Sequence, residues 1–263
     1  MSRMNLNGAP VTAAQLSALG LVGYGHFTSM RVEHGAVRGL SLHMDRLRRD
    51  CRQVFDTDLD TDRVRDLVSA SLPTDGGATI VRVTVFDPAL ELARPGAPAQ
   101  PQILVTTRKA PPTPQGPLTL QSTVFRRDMA RIKHVGLFAS LHHRALAQRA
   151  GADDVLFTEP DGTISEIATS NIGFIDNAGR LIWPDAEVLI GTTMQLIDRA
   201  RDADVLTEKI TLAEVDQFAA VVATNAAVGV RPVSAIDDRP LPIDNDLIAA
   251  LRQDYESIPP QRI

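Results

Sequence analysis

At 263 residues and 44% hydrophobic content, the chain is long enough to bury a full core and fits one large or two modest domains. A formal net charge of -5 argues against a nucleic-acid surface, and the one basic run, Arg46-Leu47-Arg48-Arg49, is bracketed by Asp45 and Asp50. A single cysteine, Cys51, excludes an internal disulfide and fits a reducing compartment, and no apolar run reaches the ~18 residues of a membrane helix.

The N-terminus, Met1-Ser2-Arg3-Met4-Asn5, runs into a polar turn at Asn7-Gly8 and is unlike a signal peptide, so the expectation is a cytoplasmic protein without membrane partners. Phe27 to Val32 reads as a strand, turning at His34-Gly35 into Ala36 to Leu40. A helix follows with Ser41 as candidate N-cap and Met44, Leu47, Cys51 and Val54 on its apolar side. His43, Arg46 and Asp50 form a neighbouring stripe, and Cys51 reads as a buried, inert thiol. A second helix starts near Thr61. Thr79 to Phe86 alternates as a strand, with Val81, Val83 and Val85 on one face and Ile80, Arg82, Thr84 and Phe86 on the other. Gln102 to Thr107 is a further strand, after a Pro-, Ala- and Gly-rich loop from Ala93 to Gln100.

The run Ala110-Pro111-Pro112-Thr113-Pro114-Gln115-Gly116-Pro117 cannot continue a helix or a central strand, and the domain boundary is expected there. This gives a small N-terminal α/β domain (1–110), a Pro-rich linker (111–117) and a larger C-terminal domain (118–263). In the latter, Leu118 to Phe125 is a strand, and Leu137 to Ala150 is a helix stopped at Gly151. Two hairpins are expected, Asp154 to Thr158 with Thr163 to Ile167 and Ile172 to Ile175 with Leu181 to Trp183. A helix from Thr192 to Ala203, strands at Val205 to Ile210 and Ala219 to Ala223, and a helix from Asp244 to Tyr255 complete the chain.

Only three lysines occur, Lys109, Lys133 and Lys209, which narrows any search for a reactive amine. Lys133, Glu166 and Gly191-Thr192-Thr193 follow one another within about sixty residues. An amine for an imine, an acid for a ring nitrogen and a helix N-terminus for a phosphate are what pyridoxal 5'-phosphate requires. Arg126, Arg127 and Arg131 lie near Lys133 and could lower its pKa. Singly, each feature has a plain alternative: a solvated lysine, a surface glutamate, a helix cap. His142 and His143 have no ligand-like spacing and no metal is expected; Gly23-Tyr24-Gly25 lacks the third glycine of a dinucleotide loop.

The ordered stretches Lys133-His134, Asp161 to Glu166, Ser170 to Phe174 and Val188 to Thr193 resemble those of class IV (fold type IV) pyridoxal phosphate enzymes. So do His43-Met44-Asp45-Arg46-Leu47 upstream and Thr224 to Val233 downstream, and the resemblance runs from about Gly23 to Ile236. That family contains branched-chain and D-amino acid aminotransferases, R-selective amine transaminases and aminodeoxychorismate lyases. The resemblance implies an α/β fold with a small N-terminal domain and a larger domain built on a pseudo-barrel of strands. It implies Lys133 as Schiff-base lysine and proton shuttle and Glu166 at the pyridine nitrogen. Arg46, Gly191, Thr192 and Thr193 would hold the phosphate, with Asn171 beside the cofactor. It further implies a homodimer acting on an amino donor and a keto acid acceptor.

The sequence also departs from the family's pattern. Phe138 stands where a tyrosine is usual, Val22 where a pocket aromatic is common with Tyr24 close by, and Ala226, next to Asn225, replaces a phosphate-binding threonine, though Thr224 is near. Ser29 matches a hydroxyl residue of the lyase subgroup or is an ordinary strand serine. Arg31 and Arg82 are candidates for a substrate carboxylate or for structural ion pairs. The leading expectation is an aminotransferase. A pyruvate-releasing lyase and a catalytically idle cofactor-binding protein are the alternatives.

Overall fold

The computed structural model describes residues 4–74, 76–201 and 205–263. The expected N-terminal stretch Met1-Ser2-Arg3 and the expected helix end at Ala203 lie outside the described residues. The chain forms two compact units. The first comprises residues to Pro111 together with Ile132–Gly136 and Pro260–Ile263; the second comprises Pro112–Arg131 and Leu137–Pro259.

The first unit contains β1 (Met4–Leu6), β2 (Ala9–Pro10), α1 (Ala13–Val22), β3 (His26–Glu33), β4 (Ala36–Val37), α2 (Leu40–Phe55), α3 (Thr61–Ser71), β5 (Thr79–Phe86) and β6 (Gln102–Lys109). The second contains β7 (Leu118–Val124), α4 (Phe138–Arg149), β8 (Asp154–Thr158), β9 (Ile164–Ile167), β10 (Asn171–Ile175), β11 (Leu181–Pro184), α5 (Thr192–Ala200) and β12 (Val205–Glu208). A 3-10 turn (Leu212–Gln217), β13 (Ala220–Asn225), β14 (Gly229–Ile236), β15 (Arg239–Pro240) and α6 (Asn245–Ser257) follow. The short β16 (Gln261–Arg262) belongs to the first unit.

In the first unit seven antiparallel strands lie in the order β16-β4-β3-β5-β6-β1-β2. Alternation sorts their side chains. Met30, Val32, Val81, Val83, Val85, Ile103 and Val105 pack against Leu40, Met44, Leu47, Cys51, Val64 and Val68 of α2 and α3. The opposite face carries Phe27, Ser29 and Arg31, with Arg82 directly across from Ser29 and Thr106 next in the row. Burial holds the Cys51 thiol up at about 11, as an inert core sulfur should be.

Sequence and structure part at α2. The expected strand Ala36 to Leu40 is only two residues long, because Gly39 takes a left-handed conformation (φ 73°) and turns the chain into a helix at Leu40. Gly39, not Ser41, is therefore the N-cap; Ser41 lies inside the first turn and its N–H donates to Gln261 of β16 at 3.0 Å. α1 has no counterpart among the expected elements. Its apolar residues share no single face and none is buried; a capping box between Thr12 and Gln15 and left-handed Gly23 define its ends. The expected strand Val205 to Ile210 ends at Glu208.

In the second unit the strand order is β12-β11-β10-β13-β14-β7-β8-β9, with β15 on β14. Pairing is parallel at β11–β12, β14–β7 and β7–β8 and antiparallel elsewhere. This curled sheet buries side chains on both faces. Leu120, Leu156, Ile164, Ile167, Ile172, Phe174 and Val233 fill one core. Ile175, Trp183, Val222 and Val230 pack against Ile197 of α5 and Leu251 of α6. Gly173 leaves room for Trp183: a Cβ there would lie 2.7 Å from the indole ring. Both faces being buried explains why these strands read as continuous apolar runs.

Candidate active site

In the first unit α2 is the organising element. His43, Arg46 and Asp50 recur at helical spacing and are all buried. His43 Nδ1 lies 2.7 Å from Thr28 Oγ1 on β3. Its pKa lies well below the ordinary histidine value, first through burial and then through the neighbouring Arg46 and Lys133 cations, so the ring is neutral. Burial also lowers Arg46, to about 10, against the opposing pull of Asp50. Asp50 is fully buried; its Oδ1 accepts from Arg49 Nε at 2.9 Å and Nη2 at 2.7 Å.

Lys133 lies in the short segment that joins this unit from further along the chain. Its N–H donates to Asp50 Oδ2 (3.1 Å) and its carbonyl accepts from the Phe27 N–H (2.8 Å). Its Nζ stands 5.0 Å from the centroid of the Phe27 ring, and the Arg82 guanidinium carbon stands 3.6 Å from that same centroid. A pocket of about 200 Å³ opens on this sheet face, lined by Ser29, Ile80, Arg82, Thr106, Thr107 and Arg108. Arg82 donates to Thr84 Oγ1 at 3.2 Å, and burial lowers its pKa. Arg31 donates to Glu33 at 2.7 Å and to the Pro111 carbonyl at 2.8 Å. The Tyr24 hydroxyl donates to the Val54 carbonyl at 3.0 Å.

In the second unit Glu166 sits on β9, buried. Its Oε1 accepts from Arg127 Nε at 3.0 Å and its Oε2 from the Leu189 N–H at 3.2 Å. Arg127 also donates to the Ala130 carbonyl, which fixes its head group. Asn171 donates to the Leu189 carbonyl at 2.7 Å, so both backbone groups of Leu189 are held by candidate residues. The chain then enters α5 through Gly191, an N-cap without a side-chain hydrogen bond, leaving the first N–H groups of the helix available to an anion. A Cβ on Gly191 would fall 2.0 Å from Asn171 Oδ1.

Thr192 and Thr193 are 3% and 1% exposed, and neither hydroxyl has a hydrogen-bond partner; the same holds for Thr224, directly across the sheet from Asn171. Unsatisfied buried hydroxyls cost free energy, so three of them among these elements suit an acceptor-rich ligand such as a phosphate. Asn225 and Ala226 lie at the end of β13. Asn225 donates to Ser170 Oγ at 2.9 Å and accepts from the N–H groups of Ala227 and Val228, which makes it a turn-former; Ala226 is half-buried. Phe138 is 82% exposed at the start of α4 and its ring stacks on His142.

Sequence reasoning singled out neither Arg127 nor Asp50 as a partner of the named residues. Arg127 was one of three nearby arginines with nothing to choose between them, and Asp50 shared the Arg46 stripe with no hint of what it would meet.

The antiparallel sheet with two helices on one face and the curled sheet with Glu166 and Gly191 at its edge make up the fold type IV architecture. Residues 25–236 match the family described as Amino-transferase class IV, and the chain belongs to that family. Among solved structures, the branched-chain amino acid aminotransferase of T.th. with pyridoxamine 5'-phosphate superposes with a TM-score of 0.84 at 21% identity, covering 97% of this chain and 92% of that one. A hypothetical aminotransferase from Mycobacterium tuberculosis gives 0.82 at 18% identity, covering 98% of each chain. The branched-chain aminotransferase of Escherichia coli gives 0.81 at 16%, covering 97% and 93%. No curated protein matches the chain in sequence.

Proposed function

We propose that this chain is a pyridoxal 5'-phosphate-dependent aminotransferase that moves an amino group between an amino acid or amine and a keto acid. The observation that carries this is the uncapped start of α5, with Thr192 and Thr193 buried and unpartnered, beside a buried glutamate held by Arg127. When bound, the cofactor supplies an aldehyde that condenses with amines and a ring that takes up electron density from the substrate α-carbon.

Lys133 would hold the cofactor through Nζ, and its amine, when free, would be the base that takes the substrate's α-proton. Glu166, already paired with Arg127, would accept from the N–H of the cofactor's ring nitrogen and favour its protonated form. Thr192, Thr193 and the N–H groups opened by Gly191 would hold the phosphate, with Asn171 setting the approach to that helix through Leu189, and the family resemblance makes Arg46 a further phosphate ligand. Arg82, backed by the Phe27 ring and lining a pocket with Ser29, is the residue best disposed toward a substrate carboxylate.

Ligands of related structures favour this reading. The T.th. enzyme was captured with N-(5'-phosphopyridoxyl)-L-glutamate and with 4-methylvaleric acid. A small domain at 1–110, a linker at 111–117, a larger domain at 118–263, a homodimer and a cytoplasmic location belong to the same proposal.

Incubating the cofactor-loaded protein with an amino donor alone tests it. Conversion of the cofactor to its aminated form, discharged by a keto acid, is the expected result. Pyruvate release from an aminodeoxychorismate-like substrate with the aldehyde form retained would instead favour the lyase, the reading that Ser29 in the pocket supports. An absorbing adduct at Lys133 with no response to any donor would point to a catalytically idle binder.

A further inference from the structure

We propose that Asp50 is a positioning residue for the reactive lysine, acting through the Lys133 backbone and not through its amine. The inference rests on the reading of Lys133 as the residue that bonds the cofactor. A fully buried carboxylate is costly unless its oxygens are satisfied. Here one oxygen takes the Arg49 fork and the other takes the Lys133 N–H, 83 residues away along the chain. The Lys133 carbonyl is bonded to the Phe27 N–H, and the Val135 N–H to the Gly25 carbonyl at 2.9 Å. Lys133 is thus held between the start of β3 and the buried face of α2, with both of its own backbone polar groups engaged.

α2 makes this bond more than local bracing. Arg46 lies one turn before Asp50 on the same buried face of the same helix. A phosphate ligand and the anchor of the lysine backbone therefore share one rigid element, which fixes their separation along it. Covalent chemistry at an aldehyde depends on such fixed separations, since misplacement by about an ångström costs roughly a hundredfold in rate. A charge-assisted bond from a carboxylate is the stronger choice for this purpose.

The test uses the full chain as Asp50→Ala and Asp50→Asn. Hydrogen exchange of the peptide carrying residues 132–136, without cofactor, reads the clamp directly. The rate of borohydride-trappable adduct at Lys133 reads its consequence. Pyridoxamine phosphate affinity, which needs the phosphate ligands but no bond to lysine, serves as the control. Exchange at the Lys133 amide is expected to speed up at least about tenfold. Adduct formation should slow about ten- to a hundredfold while pyridoxamine phosphate affinity moves less than about threefold. Should D50A fail to fold, D50N, which keeps the volume and loses the charge, is read by the same three measurements.

Faster exchange without slower adduct formation, slower adduct without faster exchange, or no change in either would overturn the proposal. So would a parallel fall in pyridoxamine phosphate affinity, which marks general damage to α2. If the unaltered protein forms no adduct at Lys133, the cofactor reading fails instead, and the exchange arm still reports on the bond to Asp50.

Discussion

Arg127 and Glu166 meet at 3.0 Å with their side chains only 11% and 8% exposed, so neither charge can fall back on water if the other is removed. Replacing Arg127 by Ala strands a buried carboxylate, and the expected loss is about 3 to 5 kcal/mol of folding stability. Urea denaturation at neutral pH measures it. The double variant R127A/E166Q, with the charge gone from both sides, should recover part of that loss; no recovery would show that the pair is not the source.

Removing the orphaned hydroxyls should act in opposite directions on stability and on binding. Thr193→Val keeps shape and discards a buried oxygen without a partner, so the cofactor-free protein should gain about 1 kcal/mol. Pyridoxal phosphate affinity should drop by roughly tenfold, the equivalent of one lost hydrogen bond to a charged group. Thermal melts with and without cofactor distinguish this from a packing defect, which would lower both.

Gly191→Ala is expected to cost about 1 to 3 kcal/mol, because the new Cβ would collide with Asn171 Oδ1 at 2.0 Å and displace a side chain already tied to Leu189. Pairing it with Asn171→Ala relieves the collision. The double variant should therefore be more stable than the sum of the single losses, read from denaturation midpoints.

Stability should also fall as the solution turns mildly acidic. His26, buried on β3, has its pKa lowered by burial from 6.5 to about 4, with Asp50 opposing, and burial likewise holds His43 well below the ordinary histidine value. Their contribution is complete above the unfolded pKa of 6.5 and is lost as the pH drops toward the folded values, since the unfolded chain takes up protons that the folded one refuses. His26 alone gives a loss of about 2 kcal/mol between pH 7 and pH 5, and His43 acts in the same direction. Urea midpoints across that range check it, and replacing His26 by a neutral residue should flatten the curve.

What the sequence disclosed followed from periodicity and local chemistry. Alternation in Thr79–Phe86 put Arg82 on the face opposite the valines, and the structure has it there, across from Ser29. The turn at Pro160-Asp161-Gly162 and the glycine ahead of Thr192 located β9 and α5 without long-range information. Boundaries slipped where one backbone conformation decided them, as with left-handed Gly39 displacing the expected Ser41 cap. α1 went unseen because it has no apolar stripe to detect. The partners of the candidate residues were hidden for another reason. Arg127 reaches Glu166 across 39 positions and Asp50 reaches Lys133 across 83, and no local pattern encodes a pairing at that separation.

That last separation bears on how the protein is made. A ribosome delivers α2, with Asp50 on its inward face, long before it delivers Lys133, and the stretch Pro112–Arg131 that it makes in the meantime belongs to the second unit. Until then one oxygen of a carboxylate destined for burial lacks its final donor. The first unit therefore cannot close its polar interior during early synthesis, and Lys133 arrives as one of the pieces that completes it.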